Sequence, residues 1–243
     1  MVSEFAIETD QLCHTFGAGA VGVKVLDNVN LAIRRGEVVI LMGPSGSGKT
    51  TLLTLVGCLR RVQQGSVKLL GTELNGAYDN TLMQMRHQIG FIFQAHNLHN
   101  SLTAVQNVQM GLQIHGRHAN RNWRDACLHM LALVGLSDRA DFMPDQLSGG
   151  QKQRVAVARA LIGNPDVVFA DEPTAALDKD SGHNVVRLLR RLADERKTTI
   201  FMVTHDHRVL DFADRIIKME DGRVVEEKSI IEISSGQFER TVK

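Results

Sequence analysis

The stretch "GPSGSGKT" at residues 43–50 is the most informative segment of this 243-residue sequence. It fits the pattern G-x-x-x-x-G-K-[S/T]; the apolar run "EVVILMG" (37–43) precedes it, and the helix-like segment "TTLLTLVGCL" (50–59) follows it. Glycines let such a loop turn its backbone N–H groups inward, and the start of the following helix adds a partial positive charge. The segment therefore predicts a phosphate-binding loop between a strand and a helix.

The residues of this loop have separate expected roles. Lys49 is expected to reach the β- and γ-phosphates of a nucleotide and to take part in catalysis, and Thr50 is expected to offer its hydroxyl to Mg²⁺. The other loop residues expected to contact the nucleotide are Gly43, Pro44, Ser45, Gly46, Ser47, Gly48 and Thr51. The loop thus predicts ATP and Mg²⁺ as cofactors.

Four short, nearly continuous apolar runs are typical of strands that helices cover on both faces, as in a parallel sheet. They lie at 37–43, 89–94, 166–171 and 198–205. Residues 123–134 and 183–193 have the spacing of amphipathic helices. Shorter alternating segments at 29–33 and 66–70, and a hairpin pattern at 215–227, predict further strands. The pattern favours an α/β fold.

Polar residues follow each of the four predicted core strands. After the phosphate loop these are Gln94, the pair Asp171 and Glu172, and His205. Because open α/β sheets bind ligands at the carboxyl ends of their strands, we expect these side chains to form one site. Asp171 is expected to hold Mg²⁺, and Glu172 to orient or deprotonate the attacking water. His205 is expected to sense or stabilise the γ-phosphate, although a histidine at a strand end can also be purely structural.

The composition is ordinary for a globular protein, with 43% hydrophobic and 23% charged residues and a net charge of +1. This balance does not indicate a nucleic-acid partner. The first ten residues do not resemble a signal peptide, and no apolar run is long enough to span a membrane. Cys13, Cys58 and Cys127 lie far apart and are expected to be reduced thiols in a cytosolic protein.

The pentapeptide "LSGGQ" (147–151) lies between the phosphate loop and "VVFADEP" (167–173). In this order the three motifs resemble those of the ATP-binding subunits of ABC transporters, over about residues 5–228. The resemblance implies a P-loop NTPase (RecA-like) core with a mainly parallel sheet and an N-terminal antiparallel β part. It divides the chain into core and β part (about 1–94 and 161–228), an inserted α-helical subdomain (about 95–160) and a short C-terminal tail (229–243).

The resemblance also implies roles for single residues. Phe16 matches an aromatic residue that stacks on adenine, and Gln94 matches the glutamine that links Mg²⁺ to the helical subdomain. Asp178 belongs to "AALD" (175–178), which matches a loop at the dimer interface, although Ala175 replaces the serine or glycine common there. His205 matches the switch histidine of the family.

The signature residues are expected to act on a second copy of the chain. Ser148, Gly149, Gly150 and Gln151 match the segment that caps the γ-phosphate bound by the opposite subunit. Ser148 can also cap a helix, and two successive glycines leave N–H groups open to an anion. The resemblance therefore implies a head-to-tail dimer with two ATP molecules between the subunits, a twofold arrangement.

Within the family, the motifs look most like the Dev-type heterocyst-exporter ATPases, a group close to the lipoprotein-releasing and macrolide-exporting ATPases. This narrower resemblance implies a permease with a large extracytoplasmic domain and a membrane-fusion adaptor that acts through it. It also implies a cytoplasmic location, on the inner face of the plasma membrane.

The segment from Gln94 to Leu112 is expected to bind the permease. It contains no charged residue from position 97 onwards, and Val105, Val108, Met110 and Leu112 can supply apolar contacts. The alternative is that these side chains pack the core of the subdomain. We expect the state of the γ-phosphate, sensed by Gln94, to be coupled to movement of the permease through rotation of the helical subdomain.

The function predicted from the sequence is the ATP-hydrolysing motor of an ABC membrane exporter. A soluble ABC ATPase acting on ribosomes or DNA is less favoured, because the chain has one cassette and no long coiled coil. A non-hydrolysing scaffold is less favoured because Glu172 and His205 are both present. An importer subunit remains an alternative.

Overall fold

The computed structural model of the chain describes residues 3–17, 21–114 and 122–229. Most of the predicted C-terminal tail therefore lies outside the described residues. The strands are β1 (Phe5–Phe16), β2 (Val23–Arg34), β3 (Val38–Met42), β4 (Gln64–Leu69), β5 (Thr72–Glu73), β6 (Ile89–Ile92), β7 (Val167–Asp171), β8 (Thr199–Val203), β9 (Arg215–Glu220) and β10 (Arg223–Ser229). The α-helices are α1 (Lys49–Val56), α2 (Asp79–Arg86), α3 (Ala104–Ile114), α4 (Trp123–Leu133), α5 (Gly149–Leu161) and α6 (Lys179–Arg196).

A six-stranded sheet in the order β10-β9-β3-β8-β7-β6 forms the centre of the molecule. Its neighbouring strands are parallel, except that β9 and β10 form an antiparallel hairpin. Every residue of β7 and β8 is buried, which explains their continuous apolar sequence. The predicted α/β fold with a mainly parallel sheet is confirmed, and the ends of β3, β6, β7 and β8 meet at one edge.

A second sheet, in the order β2-β1-β4-β5, is antiparallel and matches the β part implied by the family resemblance. The sequence did not predict β1, although this strand pairs with both β2 and β4. Several register shifts interrupt its pairing, so the buried positions do not alternate regularly along "FAIETDQLCHTF". The sequence pattern does not indicate helix α2 either.

The hairpin predicted on Asp221 and Gly222 is present. Both residues have positive φ, 45° and 77°, as the two central positions of a type I′ turn require. A Cβ atom on Gly222 would lie 2.5 Å from the carbonyl oxygen of Val25, so the second sheet approaches the turn too closely for a side chain. The turn therefore fixes β9 and β10 against β2.

Helix α3 contradicts part of the predicted permease surface. Val105, Val108 and Leu112 lie on its inner face and are buried in the core that α3 shares with α4 and α5. Their spacing of three and four residues places them on one side of the helix, and this side packs against protein. Only Met110 of the four predicted contact residues is partly exposed. The expectation that the other three meet a partner is wrong.

The remaining elements follow the sequence pattern closely, with differences at their ends. Helix α6 begins at Lys179 rather than 183, because Asp178 caps it and its first turn is polar. Short 3₁₀ helices lie at Ser137–Arg139, Pro144–Gln146 and His207–Phe212. Among the described residues, no helix has both the length and the apolar character needed to cross a bilayer.

Candidate active site

A cavity of about 450 Å³ opens at the carboxyl ends of the four parallel strands β3, β6, β7 and β8. Residues that follow each of these strands line it, as the pattern of polar strand ends predicts. The lining residues are Val25, Ser45, Gly46, Gly48, Lys49, Thr50, Thr51, Gln94, Asp171, Glu172, Val203 and His205. The fold thus brings the phosphate loop, the glutamine, the carboxylates and the histidine into one site.

The phosphate loop folds tightly against the second sheet and β9. Gly43 and Gly48 have φ of 151° and 97°, in the region that favours glycine. A Cβ atom on Gly43 would lie 2.0 Å from the Met219 carbonyl oxygen, and one on Gly48 would lie 2.7 Å from the Val25 carbonyl oxygen. The backbone geometry therefore explains why glycine occupies both positions.

Lys49 is buried at the floor of this loop, with only 7% of its surface exposed. Its Nζ donates to the carbonyl oxygens of Gly43 and Pro44 at 2.8 and 2.7 Å. Burial lowers the pKa of Lys49, and the charges of Glu172 and Asp171 act in the opposite direction. These hydrogen-bond acceptors of the ammonium group are neutral oxygens. A bound phosphate would add an anionic acceptor, which stabilises a buried cation.

Asp171 and Thr50 form the part of the site that suits a magnesium ion. The Thr50 hydroxyl donates to Asp171 Oδ2 at 3.0 Å, and Gln94 lies on the same cavity wall. Burial raises the pKa of Asp171, while the Thr50 hydrogen bond and the Lys49 charge lower it. Hydroxyl, amide and carboxylate oxygens are hard ligands, and a divalent cation favours the ionised form of the aspartate. The donor set fits Mg²⁺.

Glu172 lies one residue beyond β7 with φ of 50°, a left-handed conformation that is uncommon for this residue type. Its carboxylate faces His205: the backbone N–H of His205 donates to Oε2 at 3.4 Å, and Nε2 lies 3.5 Å from Oε1. Burial raises the pKa of Glu172, and the contacts with His205 lower it. The pair can accept a proton from water and orient it beside the phosphate loop.

The other predicted site residues do not line this cavity. Ser148 caps α5: its Oγ accepts the Gln151 N–H at 3.3 Å, and Gln151 Oε1 accepts the Ser148 N–H at 2.9 Å. Asp178 caps α6 by accepting the Ser181 N–H at 2.9 Å. Gly149 and Gly150 begin α5, and Phe16 ends β1. Within one chain, Ser148 and Asp178 thus act as helix caps.

Two contacts near the site were not predicted. The Arg159 guanidinium donates to the carbonyl oxygens of His96 and Asn97 at 2.7 and 2.6 Å, and thereby fixes the loop that follows Gln94. The Thr174 hydroxyl donates to Asp206 Oδ2 at 3.4 Å and joins the segments that carry Glu172 and His205. Both contacts join residues more than 30 positions apart, so local sequence patterns do not reveal them.

Residues 26–175 match the family of ABC transporters. The chain belongs to the ABC transporter family. The match covers the phosphate loop, Gln94, the signature and both carboxylates. This member of the family is an ATPase that binds ATP, and the α/β fold described above is that of an ABC ATPase cassette.

Relatives of this ABC cassette include ATP-binding proteins of transporters. The macrolide export ATP-binding/permease protein MacB of Shewanella sp. (strain W3-18-1) is 42% identical over 228 residues, which are 93% of this chain and 35% of the relative. The uncharacterized ABC transporter ATP-binding protein MJ0796 of Methanocaldococcus jannaschii is also 42% identical, over 92% of this chain and 97% of its own length. This chain thus spans about a third of the MacB relative and nearly all of MJ0796.

A solved structure of a similar cassette is the dimeric, post-hydrolysis state of MJ0796 bound to ADP and Pi. Its TM-score with this chain is 0.88 at 41% identity, and the alignment covers 92% of this chain and 98% of that one. These comparisons support membership of the group that contains macrolide exporters. The narrower resemblance to Dev-type exporters stays a prediction.

Proposed function

We propose that this chain is the ATP-hydrolysing motor of an ABC membrane exporter and that it acts on a separate permease. The observation that carries the proposal is the convergence of the phosphate loop, Gln94, Asp171, Glu172 and His205 on one cavity. The export function named for the MacB relative supports the direction of transport.

In the proposed mechanism, the N–H groups of the phosphate loop and Lys49 bind the phosphates of ATP. Thr50, Asp171 and Gln94 would hold Mg²⁺, which neutralises negative charge on the phosphates when bound. Glu172 orients the attacking water and accepts its proton, and His205 restrains the Glu172 carboxylate. Phe16 stacks on the adenine ring.

The active unit in this proposal is a head-to-tail dimer. Ser148 and Gly149 are exposed and lie outside the cavity, which leaves them available to a second copy. A dimer with twofold symmetry would place the signature of each copy over the phosphates of the other. The dimeric structure of MJ0796 supports this arrangement.

The permease is proposed to bind an apolar cavity of about 360 Å³ beside the segment that follows β6. Phe93 and Asn97, on either side of Gln94 in the chain, line this cavity together with Met110 and Ile114. Ile114 is 50% exposed, unlike the buried valines of α3. Binding there would hold the chain on the inner face of the plasma membrane, and an adaptor would act through the permease.

Membrane association tests the permease site directly. Ile114→Asp should reduce the fraction of the chain that sediments with native membranes, because a carboxylate disfavours an apolar contact. Gln113→Asp introduces the same charge one residue away, at an exposed position that does not line the cavity, and should sediment like the original chain. Equal sedimentation of both variants would exclude this cavity as the membrane contact.

A further inference from the structure

The short segment between α1 and β4 contacts the end of β1 that carries Phe16. We propose that Arg60 and Gln63 in this segment are positioning residues for nucleotide base binding, because together they hold Phe16 and its strand end in place. This inference rests on the proposed stacking of Phe16 on adenine.

Gln63 fixes the backbone beside the ring. Its Oε1 accepts the Thr15 N–H at 2.9 Å, and its Nε2 donates to the Thr15 carbonyl oxygen at 3.1 Å. One side-chain amide thus satisfies both backbone groups of the residue before Phe16. This pairing restrains the direction in which the next side chain leaves the strand.

Arg60 fixes the ring itself. Its guanidinium carbon lies 4.9 Å from the centre of the Phe16 ring, within the range of a cation–π contact. The imidazole of His14, which is buried, meets the same ring at 4.8 Å and nearly at a right angle. Phe16 nevertheless keeps 37% of its surface exposed, which leaves ring surface for a base.

This strand end also pairs with β2, where Thr15 lies opposite Lys24 and Phe16 lies opposite Val23. The side chains on that side cover it little, since Val21 and Val23 are 80% and 63% exposed. Arg60 lies just beyond the end of α1 and is anchored to it, because its backbone N–H donates to the Thr54 carbonyl oxygen at 3.0 Å. Because α1 begins at Lys49, one buried helix connects the phosphate loop to the residues that hold Phe16. The segment thereby sets the position of a base relative to its phosphates.

The test measures dissociation constants for Mg-ATP and for Mg-tripolyphosphate, which has phosphates but no base, by calorimetry on the full chain. Arg60→Ala should raise the dissociation constant for Mg-ATP about two- to fivefold, the scale of an exposed cation–π contact, and Gln63→Ala should raise it in the same direction. Neither change should affect binding of Mg-tripolyphosphate. Arg60→Lys keeps a cation and should restore most of the affinity.

Arg61→Ala is the matched control, because Arg61 pairs with Asp79 and its side chain makes its contacts away from Phe16. Unchanged Mg-ATP affinity in Arg60→Ala and Gln63→Ala would overturn the inference, as would an equal loss for both ligands. Tighter binding in Arg60→Ala would also contradict it, since the guanidinium would then occupy the surface that the base needs. Phe16→Ala separates the two claims: if it leaves Mg-ATP affinity unchanged, the stacking role of Phe16 itself is wrong.

Discussion

Two features of the backbone fix the position of the Glu172 side chain. It follows a fully buried strand, and its positive φ turns the carboxylate toward the backbone and ring of His205. A residue in this conformation is retained where the surroundings fix it, and such residues are concentrated at functional sites. The geometry therefore supports Glu172, rather than Asp171, as the residue that activates water.

Replacement of Glu172 by glutamine tests this role. Glu172→Gln keeps the size of the side chain but removes the proton acceptor, so ATP hydrolysis should fall by about 10²–10⁴-fold while ATP binding remains. Phosphate release and nucleotide binding measured on the same preparation distinguish the two effects. Lys49→Ala is the contrasting variant, and it should weaken binding itself. A Glu172→Gln protein with unchanged turnover would show that another group accepts the proton.

The three cysteines should differ in reactivity. Burial raises the pKa of the Cys58 and Cys127 thiols to about 11, whereas Cys13 is only partly buried. At pH 8 about one in a thousand of the two buried thiols is ionised, so a disulfide reagent should modify one thiol in the folded chain and three in denaturant. Rapid modification of all three thiols in the folded chain would contradict this burial.

The same two thiols give the folded chain a pH dependence at alkaline pH. Their pKa is higher in the folded chain than in the unfolded chain, so the unfolded state loses protons first as the pH rises. The contribution of these two thiols to stability is therefore fully present below about pH 9 and is lost between about pH 9 and pH 11. Replacement of both cysteines by alanine should flatten that part of a stability-against-pH curve, measured by denaturant unfolding.

Helix α3 shows what apolar spacing can and cannot predict. The spacing of Val105, Val108 and Leu112 identifies one face of a helix, but the same pattern fits a face that packs on α5 and a face that receives a partner. In the structure, this face of α3 packs in the core. The parallel strands were easier to predict, because continuous apolar runs followed by polar residues indicate both burial and the position of the site.

The burial of α3 changes the expected result of a substitution there. Val108→Asp should destabilise the fold by about 3–5 kcal/mol, because it places a carboxylate among apolar side chains without a partner. Gln113→Asp, at an exposed position of the same helix, should change stability by less than about 0.5 kcal/mol. Urea unfolding followed by circular dichroism measures both. A stable, folded Val108→Asp protein would place this residue at the surface instead.

In the molecule as a whole, the cavity contains only part of the predicted site. The strand-end residues meet, and the signature residues Ser148 to Gln151 lie elsewhere, where they cap α5. The sequence order of the motifs does not show this separation by itself, because it carries no information on which surface each motif reaches. The family resemblance implied it by assigning the signature to the opposite subunit. In the proposed dimer, the signature of one copy lies over the cavity of the other copy. This arrangement explains why the strand-end residues meet in one chain while the signature lies outside its cavity.

Gly149 offers a direct test of the dimer. A Cβ atom there would meet no atom within 4 Å, so Gly149→Asp should fold normally while its carboxylate repels a phosphate bound to the second copy. Light scattering with Mg-ATP should show a doubled mass for Glu172→Gln and a monomer for Glu172→Gln combined with Gly149→Asp. Gly149→Asn is the uncharged control. A dimer that persists with the aspartate would argue against this orientation of the two copies.

The most direct test of the exporter motor is to isolate its partner. Tagged Glu172→Gln protein would be purified with Mg-ATP from detergent-solubilised membranes of the source organism, with Ile114→Asp in the same background as the control. A permease with a large extracytoplasmic domain should co-purify with Glu172→Gln and be lost with Ile114→Asp. Recovery of ribosomes or DNA, or of no membrane protein, would contradict the transport function and leave only the ATPase.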